Sequence, residues 1–430
     1  MFNPVKIKEN LYWVGAIDWN LRSFHGFTYS THTGTTYNSY LLVDEKVVLI
    51  DGVKENFFEE WYSRISKVID PKRIDYFICN HVEMDHSGSI PRMMQALPKA
   101  KLVTNQRGKD ALLKHFFMVS ESIFTTENRQ KVIAEGDFLA EWDFQIVKTG
   151  DTLNLGKRAL RFIEAPMVHW PDSMFDYLEG EGILFSNDAF GQHYASSRRF
   201  DDEVSFDLIM DENAKYYANI LWPLSSIILK KLDELKKMNI PINTILTSHG
   251  LSWRKYADKA IQSYYNWARG NAVSKVIIAY DTMYFSTEKM AQAILEGIIS
   301  EGIPAKLYRL PISDIGDIIK KLLDAKGLLL GSSTVNNDIL PTVAKFACEI
   351  KGLKPLNKIA GCFSSYGWAK DSAVKAMEAD MKEAGIGLAL PSISVKYVPS
   401  PDELKQCFEF GRKFALEVKK GFSYGSALEM

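Results

Sequence analysis

A short stretch with the sequence HVEMDH, residues 81–86, follows the apolar run IDYFIC and contains two histidines and two carboxylates. Imidazoles and carboxylates are common ligands of protein-bound metal ions. If the stretch is extended, alternation places His81, Glu83 and Asp85 on one side and turns His86 in another direction. The pattern predicts a segment that supplies ligands to two metal ions, and an ordinary solvated loop is the alternative at this point.

Three further candidate ligands follow other apolar runs. His169 follows RFIEAPMV, Asp188 follows GILFSN and His249 follows INTILTS. Strand ends at one edge of a sheet converge in space, and sites are commonly built there. Four histidines and three carboxylates are enough for three terminal ligands on each of two ions and a bridging Asp188. The predicted ligands are His81, Glu83, Asp85, His86, His169, Asp188 and His249.

The elements that must position these residues change character along the chain. Up to about residue 250, short apolar runs of β type are mixed with helical patterns, which indicates a layered α/β domain. From about residue 274, five β-α units alternate strictly, which predicts a doubly wound parallel sheet. We expect a first domain at residues 1–252, a helical connector at 253–273 and a second domain at 274–430.

The composition indicates a globular protein and excludes several classes of partner. Of the 430 residues, 46% are hydrophobic, and 52 basic and 53 acidic residues leave a net charge of −1 without blocks of like charge. Nucleic acid is therefore not an expected partner, and no apolar run is long enough to cross a membrane. The four cysteines lie far apart and are expected to be buried thiols in a reducing compartment, which points to the cytoplasm.

The first region resembles the metallo-β-lactamase fold. The resemblance rests on HVEMDH, which matches the pattern His-x-[His/Glu]-x-Asp-His, and on the early strand VVLIDG around Asp51. It implies an αββα sandwich. In the zinc hydrolases of that fold the second position is normally histidine, whereas here it is Glu83. A carboxylate adds a hard, negatively charged oxygen donor, which favours iron or manganese over zinc.

Four stretches resemble those of one family, in order and at similar spacing. HVEMDHSGSIP, HWPDSM, FSNDAFGQHYAS and SHG look like the corresponding segments of the flavodiiron proteins, also called rubredoxin:oxygen oxidoreductases, and the resemblance covers essentially the whole chain. Whether His86 binds iron is left open. The resemblance implies two irons with three terminal ligands each: His81, Glu83 and His169 on one, and Asp85, His86 and His249 on the other, bridged by Asp188.

Of the four remaining histidines, one is expected near the substrate and three are not. The resemblance places His25 and Tyr194 near the substrate pocket of the family, where a hydrogen-bond donor steadies a metal-bound species. An ordinary packed or surface position is the alternative for both. His32, His115 and His193 are expected to be ordinary residues.

The second domain carries the loop YDTMYFSTE directly after its first predicted strand. Ligands of doubly wound sheets bind beyond the carboxyl ends of the strands. The hydroxyls of Thr282, Ser286 and Thr287, with backbone N–H groups at the helix start, can hold a phosphate, although helix capping is the alternative for Ser286. The loop resembles the flavodoxin phosphate loop T-x-T-G-x-T, with departures at Tyr284 and Phe285, and implies FMN.

Two further loops, SSTVNND and SSYGWA, are suited to cover a planar isoalloxazine ring. Tyr366 and Trp368 are candidates to stack on it, and packing against a helix is the alternative for Trp368. The residues predicted to bind FMN are Thr282, Met283, Ser286, Thr287, Ser333, Thr334, Asn336, Asn337, Ser365, Tyr366, Gly367 and Trp368.

The predicted function is an oxidoreductase that passes electrons from an external donor through FMN to a non-haem diiron site, which reduces O2 to water, NO to N2O, or both. No further domain is expected after GFSYGSALEM, so the donor is expected to be separate, a rubredoxin-like protein or a reduced deazaflavin. The family resemblance implies a head-to-tail homodimer or a dimer of dimers. A dinuclear zinc hydrolase fused to a flavodoxin-like electron-transfer domain is one alternative, and an electron carrier with a vestigial metal site is another.

Overall fold

The computed structural model describes residues 2–24, 29–116 and 142–420. The chain divides into two compact units. The first comprises Met1–Arg22, Thr31–Tyr216 and Ile227–Tyr264, and the second comprises Ser23–Ser30, Tyr217–Ser226 and Tyr265–Met430. The boundaries expected at residues 252 and 273 remain a prediction.

The strands up to residue 250 are mostly short. They are β1 (Val5–Lys8), β2 (Leu11–Trp13), β3 (Ala16–Asp18), β4 (Ser23–Phe24), β5 (Tyr29–Ser30), β6 (Thr35–Tyr37), β7 (Tyr40–Val43), β8 (Val47–Ile50), β9 (Tyr76–Ile78), β10 (Lys101–Thr104), β11 (Phe144–Ile146), β12 (Thr152–Asn154), β13 (Ala159–Glu164), β14 (Met174–Leu178), β15 (Ile183–Asn187) and β16 (Thr244–Thr247). The helices up to residue 268 are α1 (Phe58–Val68), α2 (Met84–Ser87), α3 (Ile90–Ala96), α4 (Gln106–Phe116), α5 (Phe206–Tyr216), α6 (Ser225–Lys237) and α7 (Ala257–Ala268), with a π-helical turn at Tyr217–Leu221.

Two sheets form the centre of the first unit. One has the order β1-β2-β7-β8-β9-β10-β11 and the other the order β12-β13-β14-β15-β16. Alternate residues of β8 serve different cores: Val48 and Ile50 lie between the sheets, whereas Leu49 faces the cluster that includes Trp61 of α1. Helices α6 and α7 cover the outer side of the second sheet beside Phe175. The predicted αββα sandwich is confirmed.

Two parallel pairings bring carboxyl ends of strands together, those of β8 and β9 in the first sheet and those of β15 and β16 in the second. β8 pairs with β9, and β15 pairs with β16, both in parallel. The antiparallel pairing of β14 with β15 brings the segment before β14 to the same edge of the second sheet. The residues that follow or precede these strands therefore collect at one edge, although β14 itself, MFDYL, is a strand that the sequence analysis did not identify.

The second unit has a parallel sheet. Its strands are β17 (Val273–Tyr280), β18 (Ala305–Arg309), β19 (Ala325–Ser333), β20 (Ile359–Tyr366), β21 (Gly387–Leu388) and β22 (Ile393–Lys396). Its helices are α8 (Ser286–Ser300), α9 (Ile315–Leu323), α10 (Pro341–Leu353), α11 (Ser372–Glu383) and α12 (Pro401–Lys420). The order is β18-β17-β19-β20-β21, with β22 also paired to β20, and all these pairs are parallel.

Helices cover both faces of this sheet. α8 and α12 pack on one face around Ile278 and Phe414, while α9, α10 and α11 contact β19. Gly297 and Gly411 permit the close approach of α8 and α12, because a Cβ at either position would lie 2.0 Å from a backbone oxygen of the other helix. The predicted doubly wound sheet is confirmed, with its switch point between β17 and β19.

The cysteine prediction holds in part. Cys79, Cys362 and Cys407 are free and buried, but Cys348 is exposed, so its predicted burial is wrong. Its neighbours Phe346 and Ala347 on α10 are buried, and Cys348 takes the outward position of that helical turn. Among the described residues, no helix combines the length and the apolar character that a bilayer span requires.

A buried lysine lies in the second unit. Lys358 is 6% exposed, its Nζ donates to the carbonyl of Leu323 at 2.9 Å, and it lies 5.5 Å from the centre of the Trp222 ring. Burial lowers the pKa of Lys358 to about 7; Asp324 opposes this shift and Lys326 adds to it. The neutral amine is therefore the form that the fold favours.

We expect Lys358→Met to stabilise the protein near pH 6.5 by about 2 kcal/mol, and by much less near pH 10. The folded-state pKa lies below that of the unfolded chain, so the native protein loses stability as pH falls from about 10.5 toward about 7, where the amine protonates in both states. Methionine does not titrate. Urea unfolding at both pH values measures the difference, with Lys413→Met, at an exposed lysine of α12, as the control. An equal gain at both pH values would contradict the assignment.

Candidate metal centre and flavin site

The segment that carries HVEMDH is not extended throughout. Residues 81–83 follow β9 without regular structure, and Met84–Ser87 form α2. The prediction that alternation places Asp85 beside His81 is therefore wrong. The helical turn directs Asp85 and His86 to one group of side chains and leaves His81 and Glu83 in another.

The first group joins His81, Glu83, His169 and Asp188, whose ligand-type atoms all lie within 4.8 Å of one another. Glu83 Oε2 is 3.3 Å from Nε2 of His81 and 3.3 Å from Nε2 of His169. Asp188 Oδ2 is 3.0 Å from Nε2 of His169. Glu83 also precedes α2 without capping it through its side chain, so its carboxylate is directed to this group.

The second group joins Asp85, His86 and His249 within the same limit of 4.8 Å. Nε2 of His249 is 3.2 Å from Asp85 Oδ2, and Nε2 of His86 is 3.4 Å from Asp85 Oδ1. All three side chains are buried. His86, whose participation the sequence left open, faces the other members of this group.

Asp188 extends one carboxylate oxygen toward each group. Its Oδ2 is directed to the first group and lies 3.5 Å from Nε2 of His81 as well as 3.0 Å from His169. Its Oδ1 lies 3.2 Å from Nε2 of His86 and 3.5 Å from Nε2 of His249. This is the geometry of a carboxylate that spans two neighbouring cation positions.

The chemistry of the cluster fits two cations. Despite these short distances, both carboxylate oxygens of Asp85 and both ring nitrogens of His86 are buried and form no hydrogen bond with any described residue, which is costly for polar atoms unless they bind something. Burial lowers the pKa of His86, but the charges of Asp85 and Asp188 outweigh it and raise that pKa to about 9. Three carboxylates in a buried site thus attract positive charge, which metal ions supply in place of protons.

Neighbouring groups orient two of the histidines. Nδ1 of His249 lies 2.7 Å from the carbonyl oxygen of Thr36, which only accepts, so Nδ1 carries the proton and Nε2 presents its lone pair to the cluster. Nδ1 of His81 lies 3.1 Å from Asp172 Oδ2, and the same oxygen accepts the backbone N–H of Val82 at 2.8 Å. Both contacts hold Nε2 toward the cluster.

We expect Asp172→Ala to weaken metal binding by about 10–100-fold, because His81 loses the group that fixes its orientation. Asp172→Asn keeps an acceptor for His81 and should restore most of the affinity. Chelator competition on the purified protein measures the effect, and flavin content should be the same in both variants. Equal metal affinity in the alanine variant and the native protein would show that Asp172 does not position His81.

A buried polar network lies behind the cluster. Asn80 donates from Nδ2 to Asp176 at 2.8 Å and to Asp51 at 3.3 Å, and Asn187 donates to the same Asp51 oxygen at 3.3 Å. Burial raises the pKa of Asp51 and raises that of Asp176 well above its usual range. The network ties together residues next to or within β8, β9, β14 and β15 and so holds the segments that carry the cluster.

Sequence reasoning missed several of these supporting residues. Asp172 lies inside the quoted stretch HWPDSM, but its contact with His81 spans 91 positions and leaves no local pattern. Ser248, whose hydroxyl donates to Asp188 at 2.9 Å, was visible only as part of SHG. Asp176 gave one signal, a lone carboxylate in the apolar run MFDYL.

The structure describes only one of the two residues expected near the substrate pocket. His25 lies outside the described residues. Tyr194 is half-buried after β15, and its hydroxyl forms no hydrogen bond with the described members of the cluster. His193, expected to be ordinary, is buried with its ring 4.9 Å from that of His249 and its Nδ1 2.8 Å from Thr35 Oγ1.

The predicted phosphate loop lies at the carboxyl end of β17. Helix α8 begins after Phe285 without a side-chain cap, so capping does not explain Ser286. Within the part of the chain that the structure describes, nothing hydrogen-bonds to the buried hydroxyl of Thr282 or to that of Thr334 in the neighbouring loop. Uncapped backbone N–H groups beside free hydroxyls are suited to a phosphate.

Phe285 adopts the backbone conformation that favours glycine. Its φ is 66°, in the left-handed region where bulky residues are rare, and its side chain is 56% exposed. Phe285 therefore takes a backbone conformation that glycine adopts most easily, and its ring is directed toward solvent. Backbone strain of this kind is typical of functional sites.

Thr287 connects the three loops of this edge. Its Oγ1 lies 2.9 Å from Ser333 Oγ at the end of β19 and 2.9 Å from Ser365 Oγ in β20. The predicted Asn336 and Asn337 follow β19 with φ of 49° and 61°, which asparagine tolerates. The predicted residues thus gather at the carboxyl edge of the sheet.

Aromatic side chains at the same edge are open to solvent. Trp368 is 72% exposed, which argues against the alternative that it packs against a helix. Tyr366 is half-buried, and Tyr397, which the sequence analysis missed, is 64% exposed next to Gly367. Met283 is 47% exposed. Exposed aromatic rings beside a phosphate loop are suited to a planar ligand.

Comparisons with known proteins agree with this architecture. Residues 35–250 match the ODP family beta lactamase model, and residues 278–411 match the flavodoxin model. A nitric oxide reductase of Moorella thermoacetica is 47% identical over 419 residues, which cover 97% of this chain and 100% of that protein.

Solved structures give the same result. Rubredoxin oxygen:oxidoreductase from the anaerobe Desulfovibrio gigas superposes with a TM-score of 0.90 at 36% identity, covering 97% of this chain and 99% of that one. The flavodiiron protein from Giardia intestinalis has a TM-score of 0.88 at 33% identity, with 98% of both chains covered. The chain belongs to the flavodiiron family of oxidoreductases, whose cofactors are FMN and a non-haem diiron centre.

Proposed function

We propose that this protein reduces O2 to water, NO to nitrous oxide, or both, with electrons that an external donor delivers through FMN. The observation that carries the proposal is the position of Asp188. Its two carboxylate oxygens face two different groups of ligand-type side chains. Two adjacent cations can hold one small gaseous substrate, or two, between them.

The set of metal-binding side chains supports iron rather than zinc. Glu83 stands where zinc hydrolases of this fold carry histidine, and with Asp85 and Asp188 it makes three hard oxygen donors among seven ligands. The four imidazoles are neutral when they bind metal, so the three carboxylates leave a pair of divalent ions with a net charge of about +1. Such a site retains attraction for electron-rich ligands.

The bound cofactors supply two electrons from FMN and one from each ferrous ion, enough for a four-electron acceptor. The residues of the chain hold and orient these cofactors. We propose that His81, Glu83 and His169 hold one iron, that Asp85, His86 and His249 hold the other, and that Asp188 bridges them.

We further propose that Thr282, Ser286 and the α8 N-terminus bind the FMN phosphate while Tyr366 and Trp368 flank the ring. The free hydroxyl of Thr282, the uncapped start of α8 and the exposure of Trp368 support this assignment.

The remaining features of the proposal follow the family. We propose a separate electron donor, a rubredoxin-like protein or a reduced deazaflavin, and a cytoplasmic protein that forms a head-to-tail homodimer or a dimer of dimers. The domain boundaries proposed are residues 1–252, 253–273 and 274–430. His25 and Tyr194 are proposed to lie beside the substrate.

We expect Glu83→Ala to lose about one of the two iron ions per chain and to reduce turnover of either gas to about a thousandth or less, while FMN stays bound. Only the first group loses a ligand. Iron analysis after anaerobic purification, followed by stopped-flow oxidation of the reduced protein by O2 and by NO, measures both effects.

The neighbouring Met84→Ala is the matched control, because Met84 is 46% exposed and outside both groups. Two zinc ions per chain with ester hydrolysis, and no reaction of the reduced protein with either gas, would replace the proposal with the zinc hydrolase alternative.

A further inference from the structure

A buried serine contacts the carboxylate that faces both groups of the metal cluster. Ser248 lies between the end of β16 and His249, and it is 1% exposed. Its hydroxyl donates a hydrogen bond to Oδ1 of Asp188 at 2.9 Å. A hydroxyl that donates to a carboxylate forms one of the stronger hydrogen bonds found in proteins. The orientation of the Asp188 carboxylate is therefore coupled to the position of Ser248.

Backbone hydrogen bonds fix the position of Ser248. Its N–H donates to the carbonyl of Asn187 at 2.9 Å, and its own carbonyl accepts the N–H of Asn38 at 2.7 Å. Asn187 immediately precedes Asp188 along the chain. The end of β16 is thus joined directly to the end of β15, and the Ser248 hydroxyl is held next to the carboxylate that it contacts.

Other contacts of the Asp188 carboxylate change when metal ions bind. Nε2 of His169 lies 3.0 Å from Oδ2, and Nε2 of His86 lies 3.2 Å from Oδ1. An imidazole nitrogen that binds a metal ion directs its lone pair to the ion and no longer donates a hydrogen bond. Ser248 is not one of the seven proposed ligands, so its hydrogen bond to Oδ1 remains when the site is filled.

Ser248 contacts only one of the two carboxylate oxygens. Oδ1 is the oxygen that faces the second group, 3.2 Å from His86 and 3.5 Å from His249. The χ2 torsion of aspartate has broad energy wells, so a carboxylate without a fixed donor can turn and move this oxygen away from the second group. Apart from Asp188, each group supplies one carboxylate and two imidazoles, so an effect on Oδ1 alone would distinguish the two ions.

We propose that Ser248 is a positioning residue for the second metal ion, the one held by Asp85, His86 and His249. Its hydrogen bond keeps Oδ1 of Asp188 directed to that ion and so preserves the bridge. The inference rests on the proposed function, in which Asp188 bridges two ions, and it specifies what holds the bridge in place. The first ion keeps Oδ2 whether or not the hydroxyl is present.

We expect Ser248→Ala to weaken binding of the second ion by about 10–100-fold and to leave the first ion and FMN bound. Ser252→Ala is the matched control, because Ser252 is 3% exposed and its hydroxyl lies 3.3 Å from that of Tyr40 instead of contacting the cluster. Titration of the metal-free, full-length flavoprotein with Mn²⁺ measures the affinities. The native protein and Ser252→Ala should bind two ions tightly, and Ser248→Ala one tightly and one weakly.

Mössbauer spectroscopy of the reduced, iron-loaded protein separates an effect on one ion from a general loss of structure. In Ser248→Ala we expect one of two iron signals to shift or disappear while the other keeps its native parameters. Ser248→Thr retains a hydroxyl and should keep both signals and both affinities. FMN content and the free energy of unfolding establish that each variant is intact.

Two ions bound as tightly in Ser248→Ala as in Ser252→Ala would overturn the inference. So would an equal weakening of both ions, or a loss of the second ion in Ser248→Thr to the same extent as in Ser248→Ala. If the native protein reacted with neither O2 nor NO, the proposed function would fail. The manganese titration would still decide whether Ser248 holds the bridging carboxylate.

Discussion

Replacing Asp188 by alanine is expected to remove most of the iron from both positions and to reduce gas turnover to about a thousandth or less of the native rate. Asp188 is 1% exposed and reaches both groups, with Oδ2 3.0 Å from His169 and Oδ1 3.2 Å from His86. Its removal takes a ligand from each ion at once. Glu83→Ala, by contrast, affects one group only.

The control for Asp188→Ala is Asp201→Ala, because Asp201 is an equally buried carboxylate outside the metal cluster. Asp201 is fully buried and accepts backbone N–H groups, including that of Tyr256 at 2.7 Å. Asp201→Ala should lower the free energy of unfolding but keep two irons per chain. Iron analysis, FMN absorbance and turnover are compared across the variants. Two tightly held irons in Asp188→Ala would refute the bridging role.

Replacing Thr287 by valine is expected to weaken FMN binding by about 10–100-fold, because the hydroxyl that joins three loops is lost without a change of side-chain size. Thr287 is fully buried, and its Oγ1 lies 2.9 Å from both Ser333 Oγ and Ser365 Oγ. Without it, Ser333 Oγ keeps its contact with Ser365 Oγ at 3.3 Å and still accepts the backbone N–H of Met283 at 3.3 Å, but neither serine is held to Thr287. The loops that present the phosphate site then lose their common anchor.

The measurement is a titration of the full-length protein, freed of flavin, with FMN. Flavin fluorescence monitors the binding. Ser300→Ala provides the control, since Ser300 lies in the last turn of α8, where its hydroxyl donates to the carbonyl of Gly297 within the same helix. Both variants should retain their iron. An FMN affinity of Thr287→Val indistinguishable from that of Ser300→Ala would mean that the three-loop contact does not shape the site.

The second unit was predictable almost element by element. Its strands and helices alternate, the strands β17, β19 and β20 each contain an apolar run and the helices carry apolar stripes, so local periodicity identifies most of them. Connections between parallel strands are right-handed and short, which leaves few topologies. The position of the phosphate loop after β17 follows from that order.

The first unit was predictable in its ligand types but not in their arrangement. The strand β14 and the helix α2 were both missed, because each is short and neither carries a strong period. The extended geometry assumed for residues 81–86 fails for the same reason. The partners of His81 and His249, Asp172 and the Thr36 carbonyl, arise only from contacts across long separations.

The amino-acid sequence by itself determined the two-part α/β organisation, the family and the seven ligand-type side chains, because these depend on local periodicity and on residue identity. Tertiary structure alone decided that one turn of helix sends Asp85 away from Glu83 and that the two oxygens of Asp188 face different groups. The reason is that a distance of about 3 Å between two side chains depends on how whole sheets and helices pack, and packing is a property of the complete fold rather than of any segment.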